Sequence, residues 1–548
     1  MRRFIPDQRW CKIVASFYTY WPCGFSPKRT RISMNKIGFF QITGVMLLSA
    51  LLISCSTNLV TGKREVSFVS TSAQIQMGEE NYLPSQQSQG GQYYLDPELN
   101  EYVSEVNARL VEASKVVFPD APNLPYEIVV LNNDVPNAWA MPGGKMAINR
   151  GLLVELKNES ELAAVLGHEI VHAAAGHSAA QMSRGTLLNA GLAMVGIATS
   201  GSEYGDLINY GSQIGSAAWM ASYGRDDELE SDHYGMMIMS EAGCNPQGAV
   251  TLQEEFVRMS EGRNQGFIDG LFASHPPSQD RVDANRAFVE QLPPGGTVGE
   301  DRYQAAIAQL IHDADAYEAQ NKATAALNDK KPEEALELLD TAISIQPDEG
   351  QFWELRGHAW RMNKNDANAE RAYTTAIEKN PNYYRHWLAR GLLRKEQGKI
   401  SEARADLERG QQLLPTATGS YLLGNLAEQR GDMNSALQYY QSAASSGGEV
   451  GQAAQMRLIR HDLPANPGNY IASGIRLMDS GEIVAVVRND SGLAVNSVQV
   501  QLTDLRTGAY QIYNVGGRLA PRNQAATGTG VVGNPANFQV RVVAARVN

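Results

Sequence analysis

His168-Glu169-Ile170-Val171-His172 places two imidazoles one helical turn apart with a carboxylate between them. Residues at i and i+4 project from one face of a helix. Neutral imidazole nitrogens are good zinc ligands, and a glutamate next to the first histidine can take a proton from water at the metal. Five residues are few enough to fall together by chance, so the flanks decide. Asn158 followed by Glu161 reads as a capping box, and Leu162, Ala163, Val165, Leu166, Ile170, Val171 and Ala174 supply a long apolar surface without proline. The run therefore falls inside a buried helix of about twenty-five residues.

A catalytic zinc takes a third protein ligand and keeps one position open for water. The best candidate stretch is Arg225-Asp226-Asp227-Glu228-Leu229-Glu230-Ser231-Asp232, on a second helix that runs on to Met239. Glu228 and Asp232 are again i and i+4, so one can be a ligand and the other an acid group or an orienter of a ligand. Glu230 points about 160° away around the helix. His177 and His233 fall off the ligand faces, which fits hydrogen-bonding roles better than ligation.

These two motifs together, His-Glu-x-x-His and a later Arg-x-x-Glu-x-x-Ser-Asp, resemble the Ste24/HtpX/Oma1 class of zinc peptidases, family M48. Ser231 stands where that family usually has alanine, a small departure. Asn137-Ala138-Trp139-Ala140-Met141-Pro142-Gly143-Gly144 is similar to the family's Asn-Ala-x-Ala-x-Pro-Gly-Gly segment. The alternating residues after it read as a strand, and Lys145, Met146, Ala147 and Ile148 are expected to form an edge that holds an extended peptide. Ser274-His275-Pro276-Pro277 with Arg281 matches a further family element, so the resemblance covers roughly residues 57 to 290. It implies one zinc per chain held by His168, His172 and Glu228, Glu169 as general base, and Asp232 as proton donor or orienter. His275 matches a histidine that in repeat-bearing members can occupy the open metal position. It is read either as a gate on the zinc or as a loop histidine hydrogen-bonded near the cleft.

At 548 residues, with 43% hydrophobic and 19% charged side chains, the chain has room for several globular domains. Residues 1–54 read differently. Met34-Asn35-Lys36 opens a basic start, Ile37 to Ile53 is almost entirely apolar, and Leu52-Ile53-Ser54-Cys55 has the form of a lipobox. Translation is thus expected to start at Met34, with Cys55 carrying lipid. Removing residues 1–54 takes away eight basic side chains and one acidic one, which leaves 39 against 58 and a formal charge of −19. That balance argues against nucleic-acid binding. Cys244 is the one cysteine after Cys55, so no intrachain disulfide is expected among the residues that follow it. Serine after Cys55 resembles lipoproteins sorted to the outer membrane, which places the protein in the periplasm on the inner leaflet.

Downstream, Pro347, Pro381 and Pro415 recur every 34 residues, in step with Gly357 and Gly391, with Trp353, Trp387 and Tyr421, and with Ala335, Ala369 and Ala403. A 34-residue period with these landmarks is the tetratricopeptide signature, here four helical hairpins over roughly 314 to 448. Stacked hairpins offer a concave surface for a partner protein. After Pro467 the segments 482–488, 498–502 and 538–543 alternate like strands between turn-rich stretches, which predicts a small β-sandwich. Leu187 to Thr199 is apolar and fits a lid, a membrane-touching loop or a buried helical hairpin.

The expected fold is multidomain: a leader and signal peptide over 1–54, an α+β, mainly helical, zincin-like peptidase over 55–300, a tetratricopeptide solenoid over 301–463 and a β-sandwich over 468–548. The expected function is that of a zinc metalloendopeptidase lipid-anchored to the outer membrane. Resemblance to the β-barrel assembly-enhancing proteases implies misassembled outer-membrane proteins and their assembly machinery as substrates and partners. The alternative class is a repeat-based assembly scaffold or chaperone with a mostly latent zinc site.

Overall fold

The computed structural model describes residues 55–184, 223–262 and 270–547. The chain divides into Met1–Cys55 and Ser56–Asn548, and the described helices lie in the second unit. The expected signal peptide, the expected start at Met34 and the apolar stretch Leu187–Thr199 lie outside the described residues. Among those described, no helix is long and apolar enough to cross a membrane.

Two helices open the unit, α1 (Thr71–Ser88) and α2 (Pro97–Val117). Asp96 caps α2, accepting from Leu99 N–H, and proline sits at the first turn, where no amide hydrogen is needed. Leu99, Val103, Val106, Leu110 and Ala113 recur every three or four residues and are buried, giving α2 one apolar stripe.

A three-stranded sheet follows, made of β1 (Glu127–Leu131), β2 (Ala138–Ala140) and β3 (Lys145–Asn149). The order is β1-β3-β2, with β3 parallel to β1 and antiparallel to β2. Lys145, Met146, Ala147 and Ile148 thus form the central strand and cannot take a peptide by edge pairing. The turn at Gly143 and Gly144, both at positive φ, folds β3 back onto β2, and β1 covers its other side. β2 is one of the two outer strands.

α3 (Glu159–Ala175) carries the two histidines, and α4 (Arg225–Glu241) packs across it. α3 is 17 residues long, shorter than expected, because Gly176 adopts the left-handed conformation at φ 72° and ends it. Helical residues resume at 177. At the N-terminus Asn158 accepts from Glu161 N–H, as a capping box requires. The returning Glu161 carboxylate accepts from Lys157 N–H, one residue before the cap. α5 (Gln247–Glu261) and α6 (Gln279–Val289) close the outer side of this helical layer.

Four helical hairpins then follow: α7 (Ala314–Asn328) with α8 (Pro332–Ile345), α9 (Gly350–Met362) with α10 (Asp366–Lys379), α11 (Tyr384–Glu396) with α12 (Ile400–Leu413), and α13 (Ala417–Gln429) with α14 (Met433–Ala444). α15 (Gly448–Asp462) caps the stack. The landmarks have local physical causes. Ala335, Ala369 and Ala403 are fully buried where helices meet. Trp353 and Trp387 donate from Nε1 to the carbonyls of Pro347 and Pro381 at 2.9 and 2.8 Å. One apolar cluster runs from Val60 in the peptidase region to Phe352 and Ala359 in the second hairpin, so the core does not break near residue 300.

The C-terminal strands are β4 (Ile471–Leu477), β5 (Glu482–Asn489), β6 (Val495–Asp504), β7 (Tyr510–Val515), β8 (Gln524–Val532) and β9 (Phe538–Val547). They form two antiparallel sheets, β8-β5-β4 and β9-β6-β7, around Val487, Val498, Val500 and Val542. Ile459 and Leu463, at the end of α15, join that core.

Candidate metal centre

The i, i+4 spacing on α3 does what helical geometry requires: His168 Nε2 and His172 Nε2 approach to 2.9 Å. α4 can lie close enough to complete the group because glycines face each other at the crossing. A Cβ on Gly235 would lie 3.1 Å from the His168 backbone nitrogen, and one on Gly167 would lie 3.2 Å from the Gly235 carbonyl oxygen. Across this contact Glu228 presents Oε1 3.3 Å from His172 Nε2 and Oε2 3.6 Å from His168 Nε2.

His275, just after the short helix Leu271–Ser274, completes the group. Its Nδ1 lies 3.0 Å from Glu228 Oε1 and 3.3 Å from His168 Nε2, and its Nε2 lies 3.4 Å from Glu169 Oε1. One ligand atom each from His168, His172, Glu228 and His275 fall within 4.8 Å of one another, and all four residues are buried.

Asp232 sits behind His168, with Oδ1 2.9 Å from Nδ1. Arg281 donates to both Asp232 oxygens at 2.7 Å, and its Nη1 lies 2.7 Å from Glu228 Oε2. Burial works against ionising Asp232, but Arg281 and His168 outweigh it and hold the carboxyl below the usual carboxylate range. This favours the orienting role for Asp232 over that of proton donor. Arg281 was legible only as part of a matched segment; its contact with two carboxylates was not.

Glu169 is buried with Oε2 unpartnered, and burial raises its pKa, which suits a base that must accept a proton. Burial likewise opposes charge on His168, yet Glu228 and Asp232 prevail and lift its pKa to about 10. His172 is held well below its ordinary value by burial and by neighbouring histidines. If His168 gives up its proton to bind through Nε2, the buried carboxylates Glu169, Glu228 and Asp232 are left with one buried guanidinium, and a divalent cation would restore the balance. Two imidazoles and a carboxylate, with a further histidine and an unpartnered carboxylate oxygen beside them, fit zinc by donor type.

One neighbour escapes a reading of the sequence. Tyr223 stacks on His172, with ring centroids 3.9 Å apart, and its hydroxyl is 2.8 Å from Ser178 Oγ. Gly167 and Gly235 had a signal, since an interior helix glycine costs about 1 kcal/mol and calls for a packing reason. His233 is no ligand: its ring packs on Phe288, centroids 3.8 Å apart.

Residues 97–288 match Peptidase family M48, and three overlapping stretches over 321–384, 367–418 and 388–450 match Tetratricopeptide repeat. The metalloprotease YcaL of Escherichia coli strain K12 is 32% identical over 186 residues, which is 33% of this chain and 68% of that protein. The chain belongs to peptidase family M48. Other relatives match over part of their own length. The mitochondrial metalloendopeptidase OMA1 of Schizosaccharomyces pombe is 35% identical over 195 residues, 35% of this chain and 52% of that one. The putative beta-barrel assembly-enhancing protease of Vibrio cholerae is 30% identical over 222 residues, 39% of this chain and 44% of that one. This M48 chain thus spans about half the length of those last two curated relatives.

Proposed function

We propose that the protein is a zinc-dependent endopeptidase of the bacterial envelope, one zinc per chain, held at the outer membrane by lipid on Cys55 and acting on misassembled outer-membrane proteins. The observation that carries the chemistry is the convergence of His168, His172 and Glu228 beside Glu169. Zinc held there would polarise the scissile carbonyl and make the attacking water more acidic. Glu169 takes the proton from that water and delivers it to the departing amine. Asp232 fixes the His168 ring, and Arg281 fixes Asp232 and Glu228 together. The outer strand β2 packs against α3, the helix that carries the base, and is the edge on which an extended substrate can pair. The β-barrel assembly named in the relatives and the repeats, which suit protein capture, support the substrate class.

His275 within 3.0 Å of Glu228 favours a latent resting state, with the histidine acting as a gate. The same contact supports the second reading, a scaffold whose zinc site is rarely used. Complementation by Glu169→Gln separates the two, since full rescue by that variant favours the scaffold.

The purified protein is expected to hold one zinc and to cleave an unfolded protein such as casein. Glu169→Gln should keep the zinc and lose cleavage. Near-normal cleavage by that variant would overturn the mechanism. Cys55→Ala should leave the outer-membrane fraction, and unchanged fractionation would remove lipid as the anchor.

A further inference from the structure

His177 lies five residues after His172, which on a continuous helix would put it about 140° around the axis. The left-handed Gly176 breaks that register and returns the imidazole onto His172, Nδ1 to Nδ1 at 2.9 Å. The far nitrogen of His177, Nε2, lies 3.2 Å from Glu230 Oε1. The same Glu230 oxygen accepts from Asn58 Nδ2 at 2.8 Å, and Lys63 Nζ lies 3.8 Å from the other oxygen. Asn58 is itself fixed. It is buried, its Oδ1 accepts from the amides of Val60 and Thr61 at 3.0 and 3.2 Å, and its Nδ2 also reaches Glu65 at 2.9 Å.

The proton positions along this line follow from one condition. If His172 binds metal through Nε2, the nitrogen that faces His168 and Glu228, then its proton is on Nδ1. His172 Nδ1–H must then donate to His177 Nδ1. A neutral His177 that accepts there carries its own proton on Nε2, which donates to the Glu230 carboxylate. A single tautomer at each ring satisfies every link from Glu230 to the ligand atom. Metal-binding histidines generally have the other nitrogen held by a carboxylate or carbonyl, which orients the ring and raises its basicity. His168 has Asp232 in direct contact for this. Among the described residues, His172 has no carboxylate on its Nδ1 side and meets one only through a second imidazole.

We propose that His177 and Glu230, clasped by Asn58, are positioning residues that fix the tautomer and orientation of His172 for zinc. The proposal rests on His172 being a zinc ligand. It also makes residues 58–65 part of the metal site, since they hold the carboxylate at the end of the relay.

The test is zinc affinity by competition with a chromophoric chelator on the full chain, alongside the melting temperature of the metal-free protein and the absorption spectrum of the cobalt-loaded form. His177→Phe keeps a ring but no acceptor, and is expected to weaken zinc binding by about 10- to 100-fold, the effect of losing such a partner. His177→Asn has a side-chain oxygen able to accept from His172 and should recover most of the affinity. Glu230→Gln should weaken binding less than His177→Phe, and the cobalt spectrum of His177→Phe should shift. Should His177→Phe fail to fold, Asn58→Ala approaches from the far end and is expected to lower affinity in the same direction. Wild-type zinc affinity in His177→Phe, or in Asn58→Ala where only that variant folds, overturns the relay alone. Equal losses in His177→Phe and His177→Asn that follow a fall in metal-free melting temperature make His177 a packing residue and also overturn it. A wild-type protein that takes up no zinc overturns the ligand reading and the relay with it.

Discussion

Gly167 and Gly235 face each other where α3 crosses α4, and their missing side chains set the distance between the histidines and Glu228. A Cβ on Gly235 would already sit at 3.1 Å from the His168 nitrogen, closer than relaxed packing allows. Gly235→Val is therefore expected to push the helices apart, costing about 1–3 kcal/mol as overpacking does. It should also weaken zinc binding, although no ligand has been changed. Zinc titration of the variant checks this, and an unchanged affinity would show that the crossing can shift without opening the site.

The three proposed ligands should behave as a unit. His168→Ala, His172→Ala or Glu228→Ala is each expected to abolish stoichiometric zinc, because a three-ligand site tolerates little. Metal analysis after dialysis reads the result. Full zinc content in Glu228→Ala would remove that residue from the set.

How much of the site is legible in the sequence depends on how local each signal is. The His168/His172 and Glu228/Asp232 spacings are i, i+4 relations on single helices, and the tetratricopeptide landmarks bond within one unit, as Trp353 does to Pro347. Strand order is not local, so Lys145–Ile148 is recognisable as a strand but not as a central one. The apolar periodicity of α3 continues past its end at Gly176, whose positive φ leaves no mark on the pattern. Arg281, Tyr223 and Asn58 meet the site across 49, 51 and 172 residues, from Asp232, His172 and Glu230 respectively, and no spacing rule reaches that far.

Among the described residues, Arg281 is the one guanidinium in contact with Asp232 and Glu228. Replacing it by methionine leaves both carboxylates buried without their guanidinium, which is expected to destabilise the metal-free protein by about 3–5 kcal/mol. Zinc should restore part of the loss by supplying positive charge to Glu228. Thermal melts with and without metal measure both effects, and equal melting temperatures for variant and wild type would contradict the charge balance.

The repeats contain an acid-sensitive site of their own. Glu354 is buried in α9, with Arg385 Nη2 at 3.1 Å and His386 Nδ1 at 2.6 Å. Burial opposes its ionisation, but Arg385, His358 and His386 prevail and hold its pKa well below the ordinary value of 4.5. A carboxylate whose folded pKa is depressed contributes stability above its unfolded pKa, and loses that contribution as pH falls through the folded value. Stability of the repeat region is therefore expected to decline below about pH 4.5, and less steeply in Glu354→Gln. Parallel acid limbs for wild type and variant would assign the decline to other groups.

His275 bears on whether the protease is silent at rest. Its Nδ1 is 3.0 Å from Glu228 Oε1 and its Nε2 is 3.4 Å from Glu169 Oε1, so one ring lies between the third ligand and the base. On the gate reading, an imidazole in that place competes with water for the position that catalysis needs open and moves when a substrate binds. Because three protein ligands are enough for a catalytic zinc, His275→Ala is expected to retain the metal on the gate reading while cleaving faster and with less discrimination, including cleavage of its own chain. A histidine that served only as a packed loop residue would leave turnover unchanged and lower the melting temperature instead. Zinc content, casein cleavage and the appearance of self-cleavage fragments, measured together on His275→Ala, tell these apart. Wild-type cleavage with no fragments would end the gate reading, and lost zinc would make His275 a structural fourth ligand.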